Sequence, residues 1–235
     1  MPTWIDLKPI PADLRSELEK VSIPNGVTEH GVLLGTTGYV IACNMKKVEQ
    51  CPSNPAEFWD AESFPGKRAV VSNPFGAMAS ALVADGVKPS DVFPMDIDRA
   101  FNKLEDLRPN VDIWTTSGDQ QVQVMRDGQV DMSIMWNGRA KSVIDEGVPL
   151  QLEWDGSLAN PNYMVVLEGG PNEKAAMEYL EWYATHPEAQ AEVARKLAYG
   201  MSHREVESLL IEEEAALLPE GGSNADKQVL LDGEW

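Results

Sequence analysis

Apolar positions recur at a spacing of three and four over Ala12–Val21, where Leu14, Leu18 and Val21 share one face and predict a helix. The continuous apolar runs 30–35 and 39–44 read as two strands, with Gly35-Thr36-Thr37-Gly38 as the turn between them. Within 52–65, Asn54-Pro55 opens a short helix anchored by Phe58-Trp59, and Lys67–Ser72 is a strand broken by Asn73-Pro74-Phe75-Gly76. A small-residue helix follows over 77–84. Asp96 caps a helix over 97–108, with Ile97, Phe101 and Leu104 on one face and Pro109 as its stop. Strand 111–114, helix 119–126, strand 130–136 and a helix from Asn137-Gly138 to Glu146 continue the alternation. Apolar runs 150–154 and 163–167 predict strands separated by a polar connection, 155–162. A long helix from cap Asn172 turns Ala176, Tyr179 or Leu180, and Tyr183 inward, breaks at His186-Pro187 and restarts to about Leu197. An acidic helix over 202–218 and an apolar docking tail over 226–235 complete the pattern. Alternating strands and helices at this spacing predict an α/β fold with a mainly parallel sheet.

Composition narrows the function more than the fold. The 235 residues suffice for one large or two small domains, and a formal charge of −19 would repel a phosphate backbone over most of the surface, which argues against nucleic acid as partner. No apolar run approaches the roughly 20 residues that span a bilayer. The opening Met1–Lys8 has neither a basic nor an apolar leader region, so the chain as given is expected to be soluble and to carry no export signal. Cys43 and Cys51 are too far apart for a CxxC motif and too few for zinc. They form a local disulfide if the protein is exported, or stay as two buried thiols.

The nucleotide, hydrolase and zinc-protease signatures are absent, and no metal or cofactor is expected. Most carboxylates, Glu205, Glu207 and Glu212–Glu214 among them, read as solvated helix faces, and Asp96 and Asp98 as cap residues. What remains is a set of turns at strand ends carrying hydroxyls, amides or rings: Thr36-Thr37, Asn73 to Phe75, Thr115 to Ser117, Trp136-Asn137, and Asn160 to Tyr163. In open α/β sheets ligands gather at the carboxyl ends of strands, so these are the candidate site. Trp136 fits a core position or a flat wall on which a ligand stacks.

Phe58-Trp59-Asp60, Phe64-Pro65-Gly66-Lys67-Arg68-Ala69, Leu82–Val87, Asp96–Phe101, Trp114–Gly118, Met135-Trp136-Asn137-Gly138-Arg139 and Ala225–Gln228 occur in one order along nearly the whole chain. Together they resemble the extracellular solute-binding proteins of ABC importers, in the branch of the spermidine/putrescine-binding proteins. The resemblance implies a type II periplasmic-binding-protein-like α/β fold, with two lobes joined by hinge strands and a ligand held by their closure. It makes Trp136 the ligand-stacking residue, brings Thr36 and Thr37 near the cleft, and makes 73–76 and 160–163 cleft-lining segments. Polyamine binders place carboxylates in these segments to pair with ammonium groups, whereas this chain offers Asn, Gly, Ala and Tyr. Family members also carry a leader and a βαβ portion before the point matching Trp4, so the first lobe is expected to be incomplete.

The reading is therefore a first lobe of residues 1–39 and 158–195, a second lobe of 40–157 and 196–235, and hinge strands at 39–44 and 163–167. The expected function is capture of a small polar or cationic, polyamine-like solute in the periplasm and its delivery to an inner-membrane ABC permease, without catalysis. Thr36, Thr37, Asn73, Phe75, Thr115, Ser117, Trp136, Asn137, Asn160, Asn162 and Tyr163 are the expected ligand-binding residues. The alternatives are a truncated scaffold that no longer transports, covered by a second copy as a homodimer, a fragment of a longer binding protein, or an enzyme on the same scaffold.

Overall fold

The computed structural model describes residues 6–231. Trp4 and the last four residues of the expected docking tail lie outside them. In chain order the elements are β1 (Leu7–Lys8), α1 (Ala12–Val21), β2 (Gly31–Asn44), α2 (Pro55–Trp59), β3 (Arg68–Val71), α3 (Pro74–Ala84), α4 (Ile97–Leu107) and β4 (Ile113–Thr115). They continue with α5 (Gly118–Arg126), β5 (Met132–Trp136), α6 (Asn137–Asp145), β6 (Leu150–Leu167), α7 (Glu173–Thr185), α8 (Pro187–Leu197), α9 (Glu212–Ala215) and β7 (Val229–Leu230). The chain divides into two compact units. One comprises the residues through Thr36 together with Pro161–Ala215, and the other Thr37–Asn160 together with the residues from Ala216 onward.

The helix starts follow local chemistry. Asn54, Asn73, Asp96 and Ser117 each accept a backbone N–H of the first turn with the side chain, satisfying donors that a helix start leaves unpaired. Asn172 makes no such bond, and Ala176 and Tyr179 are exposed, so Leu180 and Tyr183 alone of the expected inward residues are buried on α7. Pro187 at the first turn separates α8 from α7.

Two expected turns are strand instead. The expected break at Gly35–Gly38 is the interior of one 14-residue strand, β2. Its glycines serve close approach rather than turning: a side chain on Gly35 would meet the Gly200 carbonyl at 2.9 Å, and one on Gly38 the Trp154 ring at 2.8 Å. The expected connection 155–162 likewise lies within β6, an 18-residue strand. β7 pairs with it at Leu158 and Ala159, and Gly156 at φ +69 lets it pass beneath Pro55 and Val83, where a side chain would collide. β2 and β6 are the strands that run from one unit into the other, with 39–44 wholly in the second unit and 163–167 wholly in the first.

In the second unit β3 lies parallel to β4 and β5, while β2 is antiparallel to β5, with Tyr39 opposite Trp136. Successive residues face opposite sides. Ile41, Val70 and Ile134 join Phe58, Leu82 and Met132 in one core, and Ala42, Ala69 and Met135 join Val124, Met125 and Val143 in the other. Cys43 and Cys51 form a disulfide, with their Cα atoms 5.6 Å apart. Replacing both by serine is expected to cost about 2–3 kcal/mol, the order set by closing so short a loop, read as a lower denaturant midpoint.

In the first unit β1 pairs with β6 antiparallel, and Ile10, Leu18, Val32, Val166, Leu180 and Ala184 form its core. The expected acidic helix over 202–218 is not formed beyond a short turn at 207–209 and α9. Its opening residues are committed elsewhere. The buried Gln190 side chain accepts from the His203 N–H at 2.9 Å and from the Ser202 hydroxyl at 3.3 Å, while Ile23 N–H donates to the Ser202 carbonyl at 2.7 Å.

His203 is 5% exposed, and its Nδ1 accepts the Glu205 N–H at 3.2 Å, which requires the unprotonated atom. Burial holds its pKa below the ordinary value, helped by Arg204 and opposed by Glu205 and Glu188. The unfolded histidine takes up its proton near pH 6.5 while the folded one resists, so stability falls as pH drops below about 6.5 and levels off once the folded group has titrated. Between about pH 7.5 and 5.5 the melting temperature of the wild type is expected to fall more steeply than that of His203→Asn.

Candidate functional site

Because β3, β4 and β5 run parallel, their carboxyl ends form one edge of the second unit. Val71 is level with Thr115, and Ser72 N–H donates to the Thr115 carbonyl at 2.8 Å. The chain then enters α3, α5 and α6 through Asn73, Ser117 and Trp136. The same edge takes in the start of the unit's part of β2, where the Thr37 hydroxyl donates to the Asn160 carbonyl at 3.4 Å. Loops diverge at such an edge and leave helix N-termini facing outward, the usual setting for a polar ligand in an α/β sheet.

Trp136 is the largest ring here. It is half-buried and stacks on Tyr39, with ring centroids 3.6 Å apart and planes inclined by 28°. Its backbone N–H donates to the buried Gln121 side chain at 3.2 Å, which fixes the end of β5 to α5. Tyr39 is held in turn by Gly76, where any side chain would lie within 3 Å of the phenol ring. Burial raises the Tyr39 phenol pKa, so the ring stays neutral. The result is a fixed aromatic plate with one partly open indole at the strand end.

Charge at the edge comes from Arg139, in the first turn of α6. Its guanidinium packs over Gly118 at the start of α5, where a side chain would run into it, and Nη1 pairs with Asp119 at 3.5 Å. Both partners are well exposed, so the pair itself contributes little stability. A guanidinium beside an α-helix N-terminus favours an anionic group such as a carboxylate.

The expected site residues divide between the two units. Thr37, Asn73, Phe75, Thr115, Ser117, Trp136, Asn137 and Asn160 belong to the second, and Thr36, Asn162 and Tyr163 to the first. Several already have internal work. Thr115 is fully buried and its hydroxyl donates to the Val70 carbonyl at 3.3 Å, so the exposed Thr116 stands at the edge instead. Asn137 is fully buried, accepting from Gly38 N–H at 2.9 Å and donating to the Leu217 carbonyl at 3.1 Å, which ties the C-terminal segment to β2 and α6. Asn73 and Ser117 cap their helices, and Phe75 is 39% exposed beside Asn73. In the first unit the Thr36 backbone exchanges two hydrogen bonds with Gly200, Asn162 donates to the Gly35 carbonyl, and the Tyr163 hydroxyl donates to the Asn25 carbonyl at 2.8 Å. Sequence reasoning missed Tyr39 and Arg139. The Tyr39 signal is its register opposite Trp136, which no local pattern carries. Arg139 was visible as the last residue of the Trp-Asn-Gly-Arg run.

Comparison with known proteins gives this geometry a family. Residues 5–214 match the bacterial extracellular solute-binding proteins. A γ-aminobutyric acid-binding protein of Pseudomonas aeruginosa is 33% identical over 218 residues, covering 91% of this chain and 61% of the relative. A spermidine/putrescine-binding periplasmic protein of Escherichia coli is 23% identical over 185 residues, covering 77% of this chain and 50% of the relative. The chain thus spans half to three-fifths of the length of these two relatives. The crystal structure of an ABC transporter substrate-binding protein from Bradyrhizobium japonicum superposes with a TM-score of 0.89 at 31% identity, covering 97% of this chain and 71% of that one. The fold is that of the type II periplasmic binding proteins, and the chain belongs to the bacterial extracellular solute-binding protein family.

Proposed function

We propose that this chain acts as a solute-binding component of an ABC importer, taking up a small amino acid with separated ammonium and carboxylate groups, of the γ-aminobutyrate kind, for delivery to a membrane permease. The observation that carries the reading is the chemistry of the second unit's strand edge: the Trp136 plate, Arg139 beside the α5 N-terminus, and the neutral side chains of Asn73, Thr116, Ser117 and Asn160. A polyamine presents only ammonium groups, and desolvating each calls for an anionic partner. At this edge the charged pair is Arg139 with Asp119, one cation and one anion, which suits a zwitterion better than a dication. The Pseudomonas relative named for γ-aminobutyric acid supports the same choice. Work in the periplasm fits the family, and among the described residues no helix is long and apolar enough to cross a membrane.

A thermal-shift titration of this chain with γ-aminobutyrate, putrescine, spermidine and glutamate tests the proposal. Saturable stabilisation by γ-aminobutyrate is expected, reaching about 2.7 kcal/mol at a hundredfold excess over Kd, which is several degrees for a chain of this size. A larger shift with putrescine would overturn the ligand class, and no shift with any of the four would overturn solute capture by this chain.

A further inference from the structure

The second unit contains a small space, partly open beside the exposed Asp155, at the junction of β2, β5, β6, α2 and α3. It is walled by Tyr39, Ile41, Ile134 and Leu158, by Pro55 and Gly76, and by the polar side chains of Ser80 and Ser157. The volume open to a water's centre is about 10 Å³, close to the smallest that holds one molecule. Three observations give this mainly apolar space polar partners for a water. The Ser157 side chain is buried on β6, and its hydroxyl makes no hydrogen bond to any described group. The buried Ser80 hydroxyl accepts the indole N–H of Trp59 at 3.1 Å, which leaves its own proton to donate. Glu153 and Asp155 also border the space, on either side of Trp154.

We propose that this cavity is a binding site for a single internal water, which accepts the Ser80 proton and satisfies the Ser157 hydroxyl. Burying a hydroxyl without a partner is unfavourable, and a site with two or more polar partners retains a water where an apolar void of the same size stays dry. Gly156 explains how β6 builds the site. Its positive φ and missing side chain let the strand pass under Pro55 and Val83, while the ordinary alternation of the strand puts Glu153, Asp155 and Ser157 on the same face. Tyr39, the ring on which Trp136 lies, forms part of the same wall, and Trp136 itself does not border the space.

A high-resolution crystal structure tests this directly. A density peak about 2.7–3.2 Å from both Ser157 Oγ and Ser80 Oγ is expected. A dry cavity, or a Ser157 hydroxyl turned onto a protein carbonyl, overturns the proposal. In solution, Ser157→Val fills the space with carbon, and the oxygen-17 relaxation dispersion of water is expected to lose the amplitude of about one long-lived molecule relative to wild type. Should that variant fail to fold, Ser157→Ala removes the same hydroxyl at little change in volume. Unchanged amplitude in a folded variant contradicts the assignment.

Discussion

Trp136→Ala is expected to weaken γ-aminobutyrate binding by at least about 30-fold, on the order of 2 kcal/mol, while the protein stays folded. Trp136→Phe should recover part of the loss. The size follows from the place of the ring at the strand edge. A rigid aromatic anchor contributes most when it is held before the ligand arrives, and Trp136 is held on both sides of its chain position, by stacking on Tyr39 and by the bond from its N–H to Gln121. Truncation removes the stacking surface and also uncovers the Tyr39 ring. The titration is calorimetric, with the circular dichroism melt of each variant as the control for folding. An affinity within threefold of wild type would remove Trp136 from the ligand site. Loss of binding in a variant that melts at the wild-type temperature would place it there.

The largest effect on stability is expected at Arg68, a fully buried guanidinium that forms no ion pair within 4 Å among the described residues. Its Nε donates to the Phe58 carbonyl at 2.7 Å and Nη1 to the Gly66 carbonyl at 2.6 Å, while Nη2 donates to the carbonyls of Phe64 and Asp60. The charge lies 5.7 Å from the Phe58 ring centre. One side chain thereby organises the irregular segment between α2 and β3, whose carbonyls have turned inward to meet it. Desolvation lowers its pKa, with Asp112, Asp60 and Asp131 pulling the other way at longer range, and an arginine stays charged throughout. Arg68→Met keeps the volume but leaves inward carbonyls without donors, so a loss of about 3–5 kcal/mol is expected. For a chain of this size that lowers the melting temperature by about 10 °C. Arg68→Lys should fall between the two, because one ammonium cannot reach carbonyls spread over this arc. A drop of less than about 3 °C for Arg68→Met would mean that the segment closes without it.

What the sequence disclosed and what it concealed divide along the range of the interactions involved. The caps at Asn54 and Asp96 and the break at His186-Pro187 depend on residues within a turn of one another, and they stand where the pattern puts them, whereas Asn73 and Ser117, which read as breaker and turn residues, cap helices that begin at Pro74 and Gly118. The continuity of β2 and β6 was hidden because Gly35, Gly38 and Gly156 read as turns. Their reason is a neighbour distant in sequence: Gly200, Trp154, and the pair Pro55 and Val83. Residues 202–206 have helical composition but bond to Gln190 and to the 21–23 segment, which no local rule anticipates.

The candidate site follows the same division. Trp136 was legible from its strand end and from the run it opens. Thr115 and Asn137 were credited with free polar groups that the fold uses internally, because a hydroxyl or amide near a strand end shows nothing in sequence about which carbonyl will claim it. Tyr39 gains its role only through antiparallel register with β5. Arg139 gains its role through the missing side chain of Gly118, twenty-one residues earlier.

The most direct test of the central claim is a titration of isotope-labelled protein with γ-aminobutyrate, followed through the amide and indole signals. The account predicts saturable shifts concentrated at the Trp136 indole and at the amides of Asn73, Thr116 to Gly118 and Arg139, at the carboxyl edge of the second unit's sheet. Saturable shifts that leave the Trp136 indole and the α5 N-terminus unmoved would contradict it.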